Sequence, residues 1–194
     1  MCKKTFTRDK LNEAMFCLDL MKAVLNGVNA TTEQGRNEFR YALNPFLSSA
    51  RSVTWIMKNE FGKVPGFGTW YAEKEVQMRS DNTVRFLLEQ RNISLKQRPI
   101  QPHGNTTIAI TEHLAISESW VITVHHADGT QEKFESQPEP PPPYKPTEVT
   151  VRQSWYFNEL SEEKNDVVII CEEHIAKLEE LVNECEAKFS SALE

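Results

Sequence analysis

Basic residues are concentrated in one segment of the chain, and their type suits the binding of an anion. Positions 79 to 98 hold five basic and two acidic residues, a local charge of +3, whereas the whole chain of 194 residues carries −6. Arginine binds carboxylates and phosphates through paired hydrogen bonds, and lysine acts as a point charge. We therefore predict a phosphate-binding or anion-binding site at Arg91, Asn92 and Lys96. The alternative for Arg91 is a structural salt bridge or an interaction with the C-terminus of its helix.

The histidines are the other residues with potential for chemistry, and their spacing argues against a metal site. They are His103, His113, His125, His126 and His174. Zinc sites need ligands that converge, with spacings such as H-x3-H or C-x2-C. Neighbouring residues of a strand face opposite sides, so His125 and His126 do not converge. We predict no metal and no cofactor, since phosphate-loop, Rossmann and GxSxG motifs are also missing from the sequence.

The stretch Phe86–Ser94, with the sequence FLLEQRNIS, resembles the HEPN superfamily of helical bundles. The resemblance covers roughly residues 7 to 98 and extends to Ala50–Trp55 and Met78–Asn92. Members of that superfamily carry an arginine, often followed by asparagine, and then a histidine four to six residues later. The resemblance implies a dimer in which two such motifs share a cleft, and a metal-independent ribonuclease of a toxin–antitoxin or defence system.

The chain departs from this motif where the histidine should stand. Lys96, Gln97 and Arg98 occupy those positions, and a lysine with a pKa near 10.4 does not exchange protons readily at neutral pH. We therefore expect a non-catalytic interaction or scaffold protein. One alternative is a ribonuclease whose acid–base group is His103 or His174 of a second subunit. A second alternative is a module that binds a peptide or protein through its β segment.

The elements that position these residues indicate a mainly α protein with a small antiparallel β insertion, an α+β fold built on an up-down helical bundle. Apolar residues recur every three or four positions over 7–26, 32–61 and 82–97, which is typical of amphipathic helices. A shorter helix is predicted over 69–78. Thr31 and Gln34 resemble a capping box, and Pro45 predicts a kink or a break between two helices.

The pattern changes after Ile100 to short β-like segments. We predict three or four antiparallel strands from residues 107–110, 114–116, 119–126, 131–136 and 149–157. Trp120, Ile122 and Val124 alternate onto one face, and Asp128-Gly129 predicts a two-residue hairpin turn. Residues 137–146 are rich in proline and predict an extended spacer, which contains a PPxY pattern at 141–144.

The last helix is predicted to begin at Asn165 or Asp166. Its apolar residues step alternately by three and four along a heptad seam, which packs against its own bundle or against a second copy; they are Val168, Cys171, Ile175, Leu178, Val182, Cys185 and Phe189. The predicted organisation is a bundle at 1–98, a β insertion at 99–158 and a C-terminal helix at 159–194.

We expect a homodimer, with another protein as a further partner and RNA as a weaker alternative. Four cysteines without a paired motif are expected to be buried, reduced residues. The longest aliphatic run, 167–171, is far shorter than a membrane span. These features predict a cytoplasmic protein that does not insert into a membrane.

Overall fold

The computed structural model describes residues 5–27, 29–112, 119–136, 147–157 and 166–192. Within these ranges the chain forms five α-helices and four strands. The helices are α1 (Phe6–Leu25), α2 (Glu33–Phe61), α3 (Phe67–Ser80), α4 (Asn82–Lys96) and α5 (Val167–Phe189), and the strands are β1 (His103–Thr111), β2 (Val121–His125), β3 (Gln131–Glu135) and β4 (Glu148–Tyr156). The mainly α prediction with a small β insertion is confirmed. The predicted strand at 114–116, the spacer at 137–146 and its PPxY pattern lie outside the described residues.

Two long helices, α1 and α2, form the largest helix–helix contact of the chain. The apolar stripe predicted on α2 is buried along its whole length, from Phe39 to Phe61. The capping prediction was wrong by one residue, because Thr32 rather than Thr31 caps α2 and accepts a hydrogen bond from the Gly35 backbone N–H at 3.2 Å. Helix α2 also continues through Pro45 as one element instead of dividing into two.

Helices α3 and α4 meet at Asp81, which is the C-cap of α3 and the N-cap of α4. The Asp81 Oδ1 atom accepts hydrogen bonds from the backbone N–H groups of Thr83 and Val84, at 2.8 and 3.1 Å. The other carboxylate oxygen pairs with Lys177 of α5. Burial raises the pKa of the Asp81 carboxyl, but hydrogen bonds from Lys177 and Val84 outweigh it, so the pKa is below its ordinary value. One side chain therefore caps α4 and joins the corner to α5.

Helix α5 uses its heptad seam inside its own chain. All seven seam residues are buried, and so are the flanking Val167, Ile170, His174 and Leu181. The phenyl ring of Phe189 packs edge-on against Phe67 and Trp70 of α3, with ring centroids 5.6 and 5.4 Å apart. Since the seam is occupied within one chain, it does not supply a dimer contact, and the predicted dimer has to rest on another surface.

The strands form two sheets of two strands each, β1 with β4 and β2 with β3. The β2–β3 hairpin is antiparallel and pairs Ile122 with Phe134. Its turn is one residue longer than predicted: the His126 backbone N–H donates to the Thr130 carbonyl at 2.9 Å, which leaves three residues between them. Gly129 has a φ of 87°, a left-handed conformation that glycine adopts at no steric cost.

The chain divides into two compact units. The helical unit comprises Met1–Thr106 and Arg152–Glu194, and the β unit comprises Thr107–Val151. The ends of β1 and β4 belong to the helical unit, where Trp155 stacks on Phe39 with ring centroids 5.1 Å apart. Gly104 lies against this tryptophan, because a Cβ atom there would approach the indole ring to 3.0 Å. The core of the helical unit thus extends beyond the helices into the strand ends.

Candidate interaction surface

The predicted anion-binding residues lie near the end of α4, and only two of them touch. The Arg91 guanidinium donates to the Asn92 side-chain oxygen at 3.2 Å, and the Arg91 Nε–H is buried without a hydrogen-bond partner among the described residues. Lys96, the last residue of α4, is exposed. No contact joins Lys96 to the other two in the described part of the chain, so the role of this group remains a prediction.

The structure describes four of the five histidines. His103, His125 and His126 are exposed on strands or beside them, and His113 lies outside the described residues. His174 is only 8% exposed, on α5. Burial lowers its pKa to about 4, with a smaller contribution from the positive charge of Lys177. Among the described residues, no three histidine, cysteine, aspartate or glutamate side chains converge as a metal site would require.

Three of the four cysteines lie among the described residues. Cys17, Cys171 and Cys185 are buried and free, as predicted, while Cys2 lies outside the described residues. Burial is the main cause that raises the pKa of the Cys185 thiol to about 12.

Across the described ranges, none of the helices combines the length and apolar character that crossing a bilayer requires.

The β2–β3 hairpin has one apolar and one polar face. Its register places Ile122 opposite Phe134 and Val124 opposite Glu132. Trp120 continues this face, since its backbone carbonyl accepts a hydrogen bond from the Ser136 N–H at 2.9 Å. We call Trp120, Ile122, Val124 and Phe134 the apolar ribbon face. The opposite face carries the pairs Val121–Glu135, Thr123–Lys133 and His125–Gln131.

The apolar ribbon face is open to solvent. Trp120 is 54% exposed and Phe134 is 49% exposed, and no described residue of the β unit is buried. Ile108 and Ile110 on β1, and Val149 and Val151 on β4, also alternate and are also exposed. A two-stranded ribbon is marginally stable without something packed on its apolar face. The described part of the β unit therefore lacks the core that would hold it folded by itself.

A model of the family described as Bacteriophage lambda protein ea47 matches residues 31–189. The match includes most of the chain, with the whole range of the β unit and most of the helical unit, but not helix α1. The chain belongs to this family. Neither a curated protein nor a solved structure gives a significant match to this chain.

Membership of the ea47 family overturns the resemblance to HEPN proteins, which was wrong. The residues that carried it, chiefly Arg91-Asn92 on an amphipathic helix, are too common in helical bundles to identify one superfamily. The histidine that would have made the motif specific is the residue that the sequence lacks.

Phe134 is the residue of the apolar ribbon face that the sequence analysis missed. Trp120, Ile122 and Val124 were assigned to one face by their alternation, but the return strand QEKFE has a single apolar residue and no alternation of its own. Counting outward from the predicted two-residue turn places Phe134 opposite Thr123, on the other face, whereas the observed three-residue turn places it opposite Ile122.

Proposed function

We propose that this protein acts through protein–protein contact and that its β unit pairs with the β unit of a second copy. The observation that carries the proposal is the exposure of Trp120, Ile122, Val124 and Phe134 on one face of a unit with no buried described residue. Contiguous apolar surface of this kind marks an interaction site in a soluble protein.

The exposed area fits an interface between two chains. Large apolar side chains at about half exposure present on the order of 100 Å² each. The four residues of the apolar ribbon face then offer roughly 400 Å², about half of the area that each partner contributes to a stable complex of standard size. Ile108, Ile110, Val149 and Val151 expose further apolar surface on the other sheet of the β unit. A second copy is the favoured occupant because it is present wherever the chain is, and equal apolar faces pair naturally about a twofold axis.

The charge pattern favours contact through the face over pairing at the strand edge. Three of the five residues of β3 are charged, namely Glu132, Lys133 and Glu135. Charged side chains on an outer strand disfavour the addition of another strand. The apolar ribbon face carries one charged residue, Glu132, at its end beside the turn, so two such faces can pack with that charge at the rim.

The test is the molar mass of the full chain in solution, measured by light scattering after size-exclusion chromatography. We expect about twice 22.3 kDa for the wild type and the mass of one chain for the variant Trp120→Ser/Phe134→Ser. Val121→Ser is the matched control, because Val121 is 56% exposed on the opposite face of the same strand, and this variant should remain a dimer. A monomeric wild type, or a double variant with wild-type mass, would overturn the proposal.

A further inference from the structure

A cleft in the helical unit is enclosed by α2, α3, α4 and α5. Its volume is about 250 Å³, slightly below the range of roughly 300–1,000 Å³ that is typical of ligand sites. Leu47, Ala50, Leu87 and Leu178 line it and are each about 3% exposed. These side chains form an apolar floor suited to a small hydrophobic group.

The charged residues of this cleft are predominantly basic. Arg51, Arg79 and Arg85 line it together with one acid, Glu75, which gives a charge of +2 in a chain of net charge −6. Arg79 and Arg85 are exposed, so they stand at the rim rather than on the floor. Arg79 already pairs with Glu75 at 3.4 Å.

Neither Arg51 nor Arg85 forms an ion pair with another described residue, so no acidic side chain in that part of the chain neutralises them. The Arg51 guanidinium donates to the Thr54 hydroxyl at 2.9 Å and lies 5.8 Å from the centre of the Trp55 ring. Both of these partners are neutral. Arg51 is therefore held in place by contacts that leave its charge available to a ligand.

His174 forms part of the cleft wall and has a buried polar atom to satisfy. Its Nδ1 atom is buried and has no hydrogen-bond partner among the described residues, which costs free energy. His174 also borders a second cleft, of about 470 Å³.

The second cleft differs from the first in its charges. Its lysines are neutralised by nearby acids, since Lys177 pairs with Asp81 and Lys74 pairs with Glu184 at 2.5 Å. Glu180 lines it as well, so its charged lining has a net charge of −1. Of these two clefts, the first combines an apolar floor with arginines that form no ion pair with the described residues.

We infer that the first cleft binds a small organic anion with a hydrophobic body. The body packs on the floor, and a carboxylate or phosphate group accepts hydrogen bonds from Arg51 and Arg85 at the rim. Arginine is the side chain best suited to both anions because its planar fork donates two parallel bonds. This site is in the helical unit and does not depend on the pairing of β units.

Calorimetric titration of the full chain with simple probes tests the inference. Octanoate and octyl phosphate should both bind, and their relative affinity shows whether the cleft prefers a carboxylate or a phosphate. Octanol, which lacks the charge, should bind at least about tenfold more weakly than the better of the two anions. Shortening octanoate to hexanoate should weaken binding by about fourfold for each methylene removed.

The variant Arg85→Gln should lose about tenfold or more in affinity for the anions, and it should fold normally because Arg85 is exposed and forms no ion pair with the described residues. Arg36→Gln is the matched control, since Arg36 is an exposed arginine of α2 that does not line the cleft. Failure of both anions to bind, equal binding of octanol, or equal losses in the two variants would overturn the inference.

Discussion

His174 couples the stability of the helical unit to pH. Its pKa is lowered from 6.5 to about 4 in the folded chain, because burial disfavours the charged imidazole. On acidification the unfolded chain takes up the proton first, so stability is complete above pH 6.5 and falls as the pH decreases. A difference of about 2.5 pKa units corresponds to a loss of about 3 kcal/mol by pH 4, below which the folded chain is protonated too.

The loss is measured by urea unfolding at pH values from about 7.5 to 4, comparing the wild type with His174→Leu. The acids that line the two clefts beside His174 are the same in both proteins, so the difference between the two profiles isolates the imidazole. These acids are Glu75, Asp81, Glu180 and Glu184. His125→Gln, at an exposed position, should reproduce the wild-type profile. Parallel profiles for the wild type and His174→Leu would show that His174 does not titrate as the burial argument requires.

Two further changes test contacts that hold the helical unit together. Gly104→Ala should destabilise by about 1–3 kcal/mol, because the added Cβ would meet the Gln153 Nε2 atom at 2.8 Å and the buried Trp155 ring at 3.0 Å; an unchanged urea midpoint would contradict this. Asp81→Ala should cost about 1–2 kcal/mol through loss of the α4 cap, whereas Asp81→Asn, which keeps an acceptor oxygen, should lose only the contribution of the Lys177 pair, at most about 1 kcal/mol. Equal melting temperatures for the two Asp81 variants would refute the capping argument.

Periodicity was sufficient to predict the long helices and their buried faces. On α2 and α5 the apolar residues repeat at helical spacing over many turns, and a strand or a loop does not sustain such a repeat. Element ends were less predictable, because they depend on single contacts. The sequence offers Thr31 and Thr32 equally as caps, and α3 begins at Phe67, inside a glycine-rich stretch, because the aromatic ring packs against Phe61 and Trp70.

The cleft could not have been predicted in the same way. Arg51, Arg85 and His174 are far apart in the chain, and only the packing of α2, α4 and α5 brings them around one cavity. His174 flanks the apolar seam of its helix, so its sequence context indicated burial but not an unpaired nitrogen. The local basic charge of residues 79–98 predicted a site at Arg91. The arginines that share the cavity, Arg51, Arg79 and Arg85, belong to three different helices.

The junction between β1 and β4 has a consequence for how this chain can vary. Thr106 and Gln153, at the boundary of the helical unit, are hydrogen-bonded through their side chains at 2.5 Å. The segment Thr107–Val151 therefore leaves and re-enters the helical unit at neighbouring positions. For the helices, it is connected in the same way as a short loop would be. We therefore expect that this segment can be shortened or replaced between the two strand ends while the bundle keeps its fold.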